Sequence, residues 1–131
     1  MRSLDLRASR AGGPLSAAEH AKLVHDILEE LGPLPGVVIG LNASGRAKYM
    51  STSGRCSVVP YGWPAGTGGP DLLAVVAPLG RMVAFEAKTG RATATAEQRA
   101  VHAALRAVGV VVAVVRSVAE ARAALEVARA K

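Results

Sequence analysis

Residues 71–88, DLLAVVAPLGRMVAFEAK, decide the fold of this chain. They read as two apolar strands, Leu72–Val76 and Met82–Lys88, joined by the turn Ala77-Pro78-Leu79-Gly80. Alternation along the second strand puts Val83, Phe85 and Ala87 on one face and Ala84, Glu86 and Lys88 on the other. Pairing Val76 with Met82 across the turn sets Leu72 opposite Glu86 and Asp71 beside Ala87. Glu86 and Lys88 then point the same way, at the strand end where Asp71 sits.

Two carboxylates and a lysine gathered at one strand end suit metal-assisted phosphodiester hydrolysis. Asp71 and Glu86 offer hard oxygen ligands for Mg²⁺ or Mn²⁺, and the backbone carbonyl of Ala87 offers a third. Lys88 can orient a water or hold a transition-state oxyanion. The bland alternative is an ordinary ion pair of Glu86 and Lys88 on one strand face.

Downstream of the hairpin, Thr89–Thr93 is a polar connection. Thr95-Ala96-Glu97-Gln98 is a capping box that opens a helix to about Gly109. Val110–Val115 reads as an apolar strand buried on both faces. The strand–helix–strand step predicts a parallel, right-handed crossover. Ser117-Val118-Ala119-Glu120 is a further capping box, leading into a last helix to about Arg129.

Upstream, Tyr61–Pro70 is a Gly- and Pro-rich loop able to bring a nucleic-acid backbone close to Asp71. Strands are expected at Arg46–Met50 and Arg55–Pro60, joined by Ser51–Gly54, and at Val37–Leu41 before the Asn42–Gly45 turn. Ser16-Ala17-Ala18-Glu19 is a first capping box. Its helix carries Leu23, Val24, Ile27, Leu28 and Leu31 on one stripe and ends at Gly32-Pro33. The order argues an α/β fold, a mixed β-sheet flanked by helices. Residues 1–14 read as a flexible basic arm and 15–131 as a single domain.

At 131 residues, half of them apolar, the chain has room for one core. Its formal net charge of +6 favours a polyanionic partner. Cys56 stands alone, which excludes a disulfide framework and a cysteine metal cluster and fits a reducing cytoplasm. Val108–Val115 is far shorter than the roughly 20 residues that span a bilayer. The amino-terminal stretch has no apolar region of a signal peptide. No Gly-Lys-Ser/Thr closes the Gly62–Gly69 loop, and no Gly-x-Ser-x-Gly elbow is present, which argues against a P-loop and a serine hydrolase. His20, His25 and His102 lie on helices without metal spacing and read as surface or packing residues.

Several separated motifs resemble one family in order and type. Gly69-Pro70-Asp71-Leu72, Phe85-Glu86-Ala87-Lys88-Thr89-Gly90-Arg91, Glu97-Gln98-Arg99 and Gly109 before a valine strand resemble the VRR-NUC branch of the PD-(D/E)XK nucleases. The resemblance covers about Ser16 to Leu125. It implies a restriction-endonuclease-like core in α-β-β-β-α-β order plus a C-terminal helix, with catalytic positions at Asp71, Glu86 and Lys88. It also implies supporting roles for Gln98 and for Glu19 as a further metal ligand, although each is also the N3 residue of a capping box. Asn42-Ala43-Ser44-Gly45 looks like the family's Asn-containing loop. Stand-alone members are similar to homodimeric junction-cleaving enzymes, which implies branched DNA such as four-way junctions as substrate.

Arg91 and Arg99 lie close in sequence to the catalytic end and are candidates for binding DNA phosphate. Arg46, Lys48 and Arg55 either grip the DNA backbone or solvate an exposed strand edge. Tyr61 and Trp63 either stack on a base or pack on the domain. The reading is thus a Mg²⁺- or Mn²⁺-dependent DNA endonuclease. The alternatives are a non-catalytic DNA-binding module of the same fold and a small phosphate-binding or RNA-processing protein.

Overall fold

The apolar runs on either side of Ala77–Gly80 pair with each other and leave solvent together. A computed structural model of the chain describes residues 14–63 and 68–130, with side chains from residue 17 onward. Its elements are α1 (Pro14–Leu31), β1 (Val37–Leu41), β2 (Gly45–Met50), β3 (Cys56–Tyr61), β4 (Leu72–Val76), β5 (Arg81–Ala87), α2 (Ala96–Ala107), β6 (Val111–Val115) and α3 (Val118–Ala130). Among the described residues no helix is long and apolar enough to cross a membrane. Of the expected arm over residues 1–14, only Pro14 is described, as the first residue of α1.

A mixed sheet runs in the order β1-β4-β5-β6, antiparallel except for the parallel pair β5–β6 that α2 connects. The strands β2 and β3 form a separate antiparallel ribbon. Helices α1 and α3 cover one face of the sheet. There Val24, Ile27 and Leu31 of α1 and Ala121, Leu125 and Ala128 of α3 close over Leu72, Ala74, Val83, Phe85 and Ala87. Helix α2 lies against the opposite face, where alternation places Ala84 and Glu86. Strand β5 is therefore covered on both sides, and Val83 through Ala87 are all buried.

Three expectations need correction. Strand β5 starts at Arg81, directly after the four-residue turn, so Val76 pairs with Arg81 rather than Met82 and Leu72 with Phe85 rather than Glu86. Gly80 closes the turn at φ 71, a left-handed backbone that glycine adopts without strain. Strand β6 is the sheet's edge and only Val115 on it is fully buried; the apolar run reflects partial cover on both faces by α2 and α3, not a central position. Helix α1 starts at Pro14, whose fixed φ suits a first turn, so Ser16 lies inside the helix rather than at its cap. The hydroxyl of Ser16 lies outside the described residues.

Of the other two expected capping boxes, one forms completely and one by half. Thr95 Oγ1 accepts the Gln98 N–H while Gln98 Oε1 accepts the Thr95 N–H, a complete box. Ser117 Oγ accepts the Glu120 N–H, but Glu120 Oε1 turns to the Arg116 N–H at 2.7 Å. Because Phe85 is fully buried on the helix-covered face, Phe85→Ala should cost about 3–5 kcal/mol in urea unfolding. Val38→Ala, on the exposed edge strand β1, should cost about 0.5 kcal/mol or less.

Candidate active site

The paired ladder ends at Leu72 and Phe85, and Asp71 stands just beyond that end, close enough for its charge to act on Glu86. Asp71 also ends the ladder with its own side chain. Its N–H donates to Phe85 C=O at 2.9 Å, and the Ala87 N–H donates to Asp71 Oδ2 at 2.8 Å.

Glu86 is 2% exposed, and both of its oxygens face α2. Gln98 Nε2 donates to Oε2 at 3.1 Å, and His102 Nε2 lies 3.4 Å from Oε1. Gln98 and His102 are one helical turn apart and present the same face to the strand. The Gln98 amide thus divides its two ends: Oε1 caps α2 while Nε2 donates to Glu86. The capping box uses the backbone N–H groups of Thr95 and Gln98, so neither is free at this helix start.

Burial pushes the Glu86 carboxyl up to about 8, reinforced by the negative charge of Asp71 and a hydrogen bond to it. Lys88, half-buried at the end of β5, pulls the other way. Burial also lowers His102, helped by the positive charges of Arg106 and Lys88, which keeps its imidazole neutral. The Lys88 N–H donates to Val115 C=O at 3.0 Å, continuing the β5–β6 ladder past Ala87 and fixing the backbone from which the ammonium projects.

Helix α1 reaches the site through His20, whose Nε2 is 3.3 Å from Asp71 Oδ2. Glu19 is exposed one residue earlier, about 100° around the helix, and the residue that meets Asp71 is His20. Asp71 also closes one end of a cleft of about 410 Å³ lined by His20, Val24, Leu28, Leu41 and Asn42. Asn42 fastens this corner. Its Nδ2 donates to Pro70 C=O at 2.8 Å, its Oδ1 accepts the Trp63 N–H at 3.0 Å, and its N–H donates to Asp71 C=O at 2.9 Å. The Gly-rich loop is thus tied at Trp63 and Pro70, and its residues 64–67 lie outside the described ones. Gly68 approaches the start of α2 so closely that a Cβ there would meet Glu97 O at 2.8 Å.

The sequence-derived cations lie further out. Arg91 is exposed, and Arg99 donates to Ala94 C=O at 2.7 Å, bracing the loop before α2. Arg116 donates to Gly90 and Ala92 carbonyls from the end of β6 and so shapes the same loop. Arg46, Lys48 and Arg55 are exposed on the β2–β3 ribbon, away from the carboxylates. Tyr61 and Trp63 are both about half exposed; Tyr61 lies over Gly45 of its own ribbon.

His20 and His102 are the residues that sequence reasoning missed. The signal for His102 was its spacing of four from Gln98, which puts both on the helix face that meets Glu86. Among the described residues no group of three or more His, Cys, Asp or Glu side chains is arranged around a common cation position. Asp71 and Glu86 nonetheless offer the hard carboxylate oxygens that suit a divalent cation, and the charge of Asp71 acts on Glu86. Comparison of the chain with protein-family models, curated proteins and solved structures gives no match.

Glu86 carries a raised folded pKa, so the metal-free fold binds a proton that the unfolded chain has released above its ordinary value of 4.5. Stability should therefore fall as pH rises toward about 8. His102 acts oppositely, but only below its ordinary value of 6.5. Between these limits Glu86 acts alone: urea unfolding of the chelated protein should weaken from about pH 6.5 to 8, and Glu86→Gln should flatten the profile.

Proposed function

We propose that this protein is a Mg²⁺- or Mn²⁺-dependent DNA endonuclease of the VRR-NUC branch of the PD-(D/E)XK nucleases. The observation that carries the proposal is the nearness of Asp71 to Glu86 at the end of β5, with Lys88 beside them and Gln98 holding Glu86. The topology supports it too: with the β2–β3 ribbon set aside, the elements run α-β-β-β-α-β with the last strand parallel, followed by a helix.

Asp71, Glu86 and the Ala87 carbonyl would hold the cation. When bound, the cation supplies charge neutralisation of the phosphate and a water of lowered pKa. The chain's own groups do the rest. Gln98 and His102 keep the Glu86 carboxylate from swinging away, and the Ala87 N–H does the same for Asp71. The Lys88 ammonium is placed to hold a phosphate oxygen or the attacking water. A net charge of +6 favours a polyanionic partner. The family resemblance adds two proposals, a homodimer and a preference for branched DNA such as four-way junctions, whose equivalent strands suit two symmetric sites.

One observation favours a second reading. Only two acidic side chains meet at the site, with no third His, Cys, Asp or Glu ligand among the described residues, as a DNA-binding module that has lost catalysis would show. Incubation of four-way, flap and linear duplex DNA with Mg²⁺ or Mn²⁺ separates the two. The nuclease reading expects chelator-sensitive cleavage that falls on the order of 10²-fold or more in Lys88→Ala, with binding retained. Tight binding without metal-dependent cutting establishes the module, and equal cutting of linear and branched DNA removes the junction preference alone.

A further inference from the structure

The β2–β3 ribbon takes no part in the main sheet and contributes no side chain to the carboxylate site. Its two strands are six residues each, so the ribbon is about 20 Å long. Register divides its side chains cleanly. Arg46, Lys48 and Met50 share one face with their partners Pro60, Val58 and Cys56. Gly45, Ala47 and Tyr49 share the other with Tyr61, Val59 and Ser57. The two half-buried residues of the ribbon, Gly45 and Ala47, both lie on the second face, so the cationic face is the outward one.

The charge pattern is one-sided as well. No Asp or Glu occurs anywhere from Leu31 to Pro70, while Arg46, Lys48 and Arg55 all fall within that stretch. All three are exposed, and among the described residues no carboxylate pairs with them. Arg55 sits at the tip, where the backbone is ordered. Ser51 N–H donates to Arg55 C=O at 2.9 Å, and Ser51 Oγ accepts the Arg55 N–H at 2.9 Å. The root is anchored at the other end by Asn42, which bonds Trp63, Pro70 and the main chain of Asp71.

We infer that the β2–β3 ribbon enters the major groove of a DNA duplex beside the cleavage point, with Arg46 and Lys48 of its outward face on the phosphates. This rests on the nuclease reading above and adds to it where the uncut arm lies. A groove about 12 Å wide admits a two-stranded ribbon, whereas the minor groove at about 6 Å does not. A ribbon of about 20 Å follows roughly six base pairs at 3.4 Å each. The Asn42 anchor holds the ribbon in fixed relation to Asp71, so a duplex seated on it presents its backbone to the carboxylates at a set distance.

Binding to a short guanine-containing duplex, measured by fluorescence anisotropy across salt concentrations with chelator present, reads the contact without cutting. The combined variant Arg46→Gln and Lys48→Gln should lose roughly tenfold or more in affinity at physiological salt and lower the salt slope by about 2. In the parent complex guanine N7 atoms should be protected from dimethyl sulfate, and the variant should restore their reactivity. Tyr49→Ser with Val59→Thr, on the other face, should leave slope and protection as in the parent. Circular dichroism confirms that each variant is folded. An unchanged salt slope in the double variant, reactive N7 atoms in the parent complex, or selective binding of RNA instead would each overturn the inference. Ribbon-dependent binding by a parent protein that never cuts would instead sink the nuclease reading and leave the ribbon standing.

Discussion

A carboxylate buried at the end of a strand that is covered on both faces organises this site. Glu86 is 2% exposed, and an ionised group there is costly unless it is paired and hydrogen-bonded. Helix α2 supplies those partners through Gln98 and His102, one turn apart. Their placement requires the helix to start where Thr95 and Gln98 cap each other, and the loop before it to be held by Arg116 and Arg99. On the other side, Phe85 and Ala87 fix the strand in the core between α1 and α3. The polar and apolar faces of five consecutive residues thus determine each other.

Much of the fold was legible because its signals are local. All six strands and three helices follow from alternation, helical periodicity and capping residues, and the main boundary shift, at the start of α1, came from a proline that suits a first turn. The register of the central hairpin was not legible to one residue. Turn closure depends on which glycine adopts a positive φ, and a one-residue difference exchanges the faces of an entire strand. The pairing read from the sequence set Leu72 against Glu86, and the pairing found sets it against Phe85 in the core.

The site was legible in its acids and lysine but not in its histidines. A lone His on an amphipathic helix has no signature of its own, because what it touches is set by how helix and sheet pack. His20 meets Asp71 from α1, and the exposed Glu19 beside it shows how one position of helical phase separates a ligand candidate from solvent. The position of β6 was hidden for a related reason. An apolar strand beneath two helices reads like a central strand even when one of its edges is unpaired.

Asn42 gives the chain a property that neither its strands nor its carboxylates have. Strands β1 and β4 are hydrogen-bonded to each other directly, although the chain between them leaves the sheet, makes the β2–β3 ribbon and returns. The excursion is closed at its neck by one amide side chain. Its length can therefore change with little entropic cost to the sheet, since closing a longer loop costs only about 0.6 kcal/mol per doubling. In engineering terms the ribbon is an exchangeable cartridge: a different hairpin grafted between Asn42 and Trp63 would inherit the same mooring without disturbing the strands beneath it.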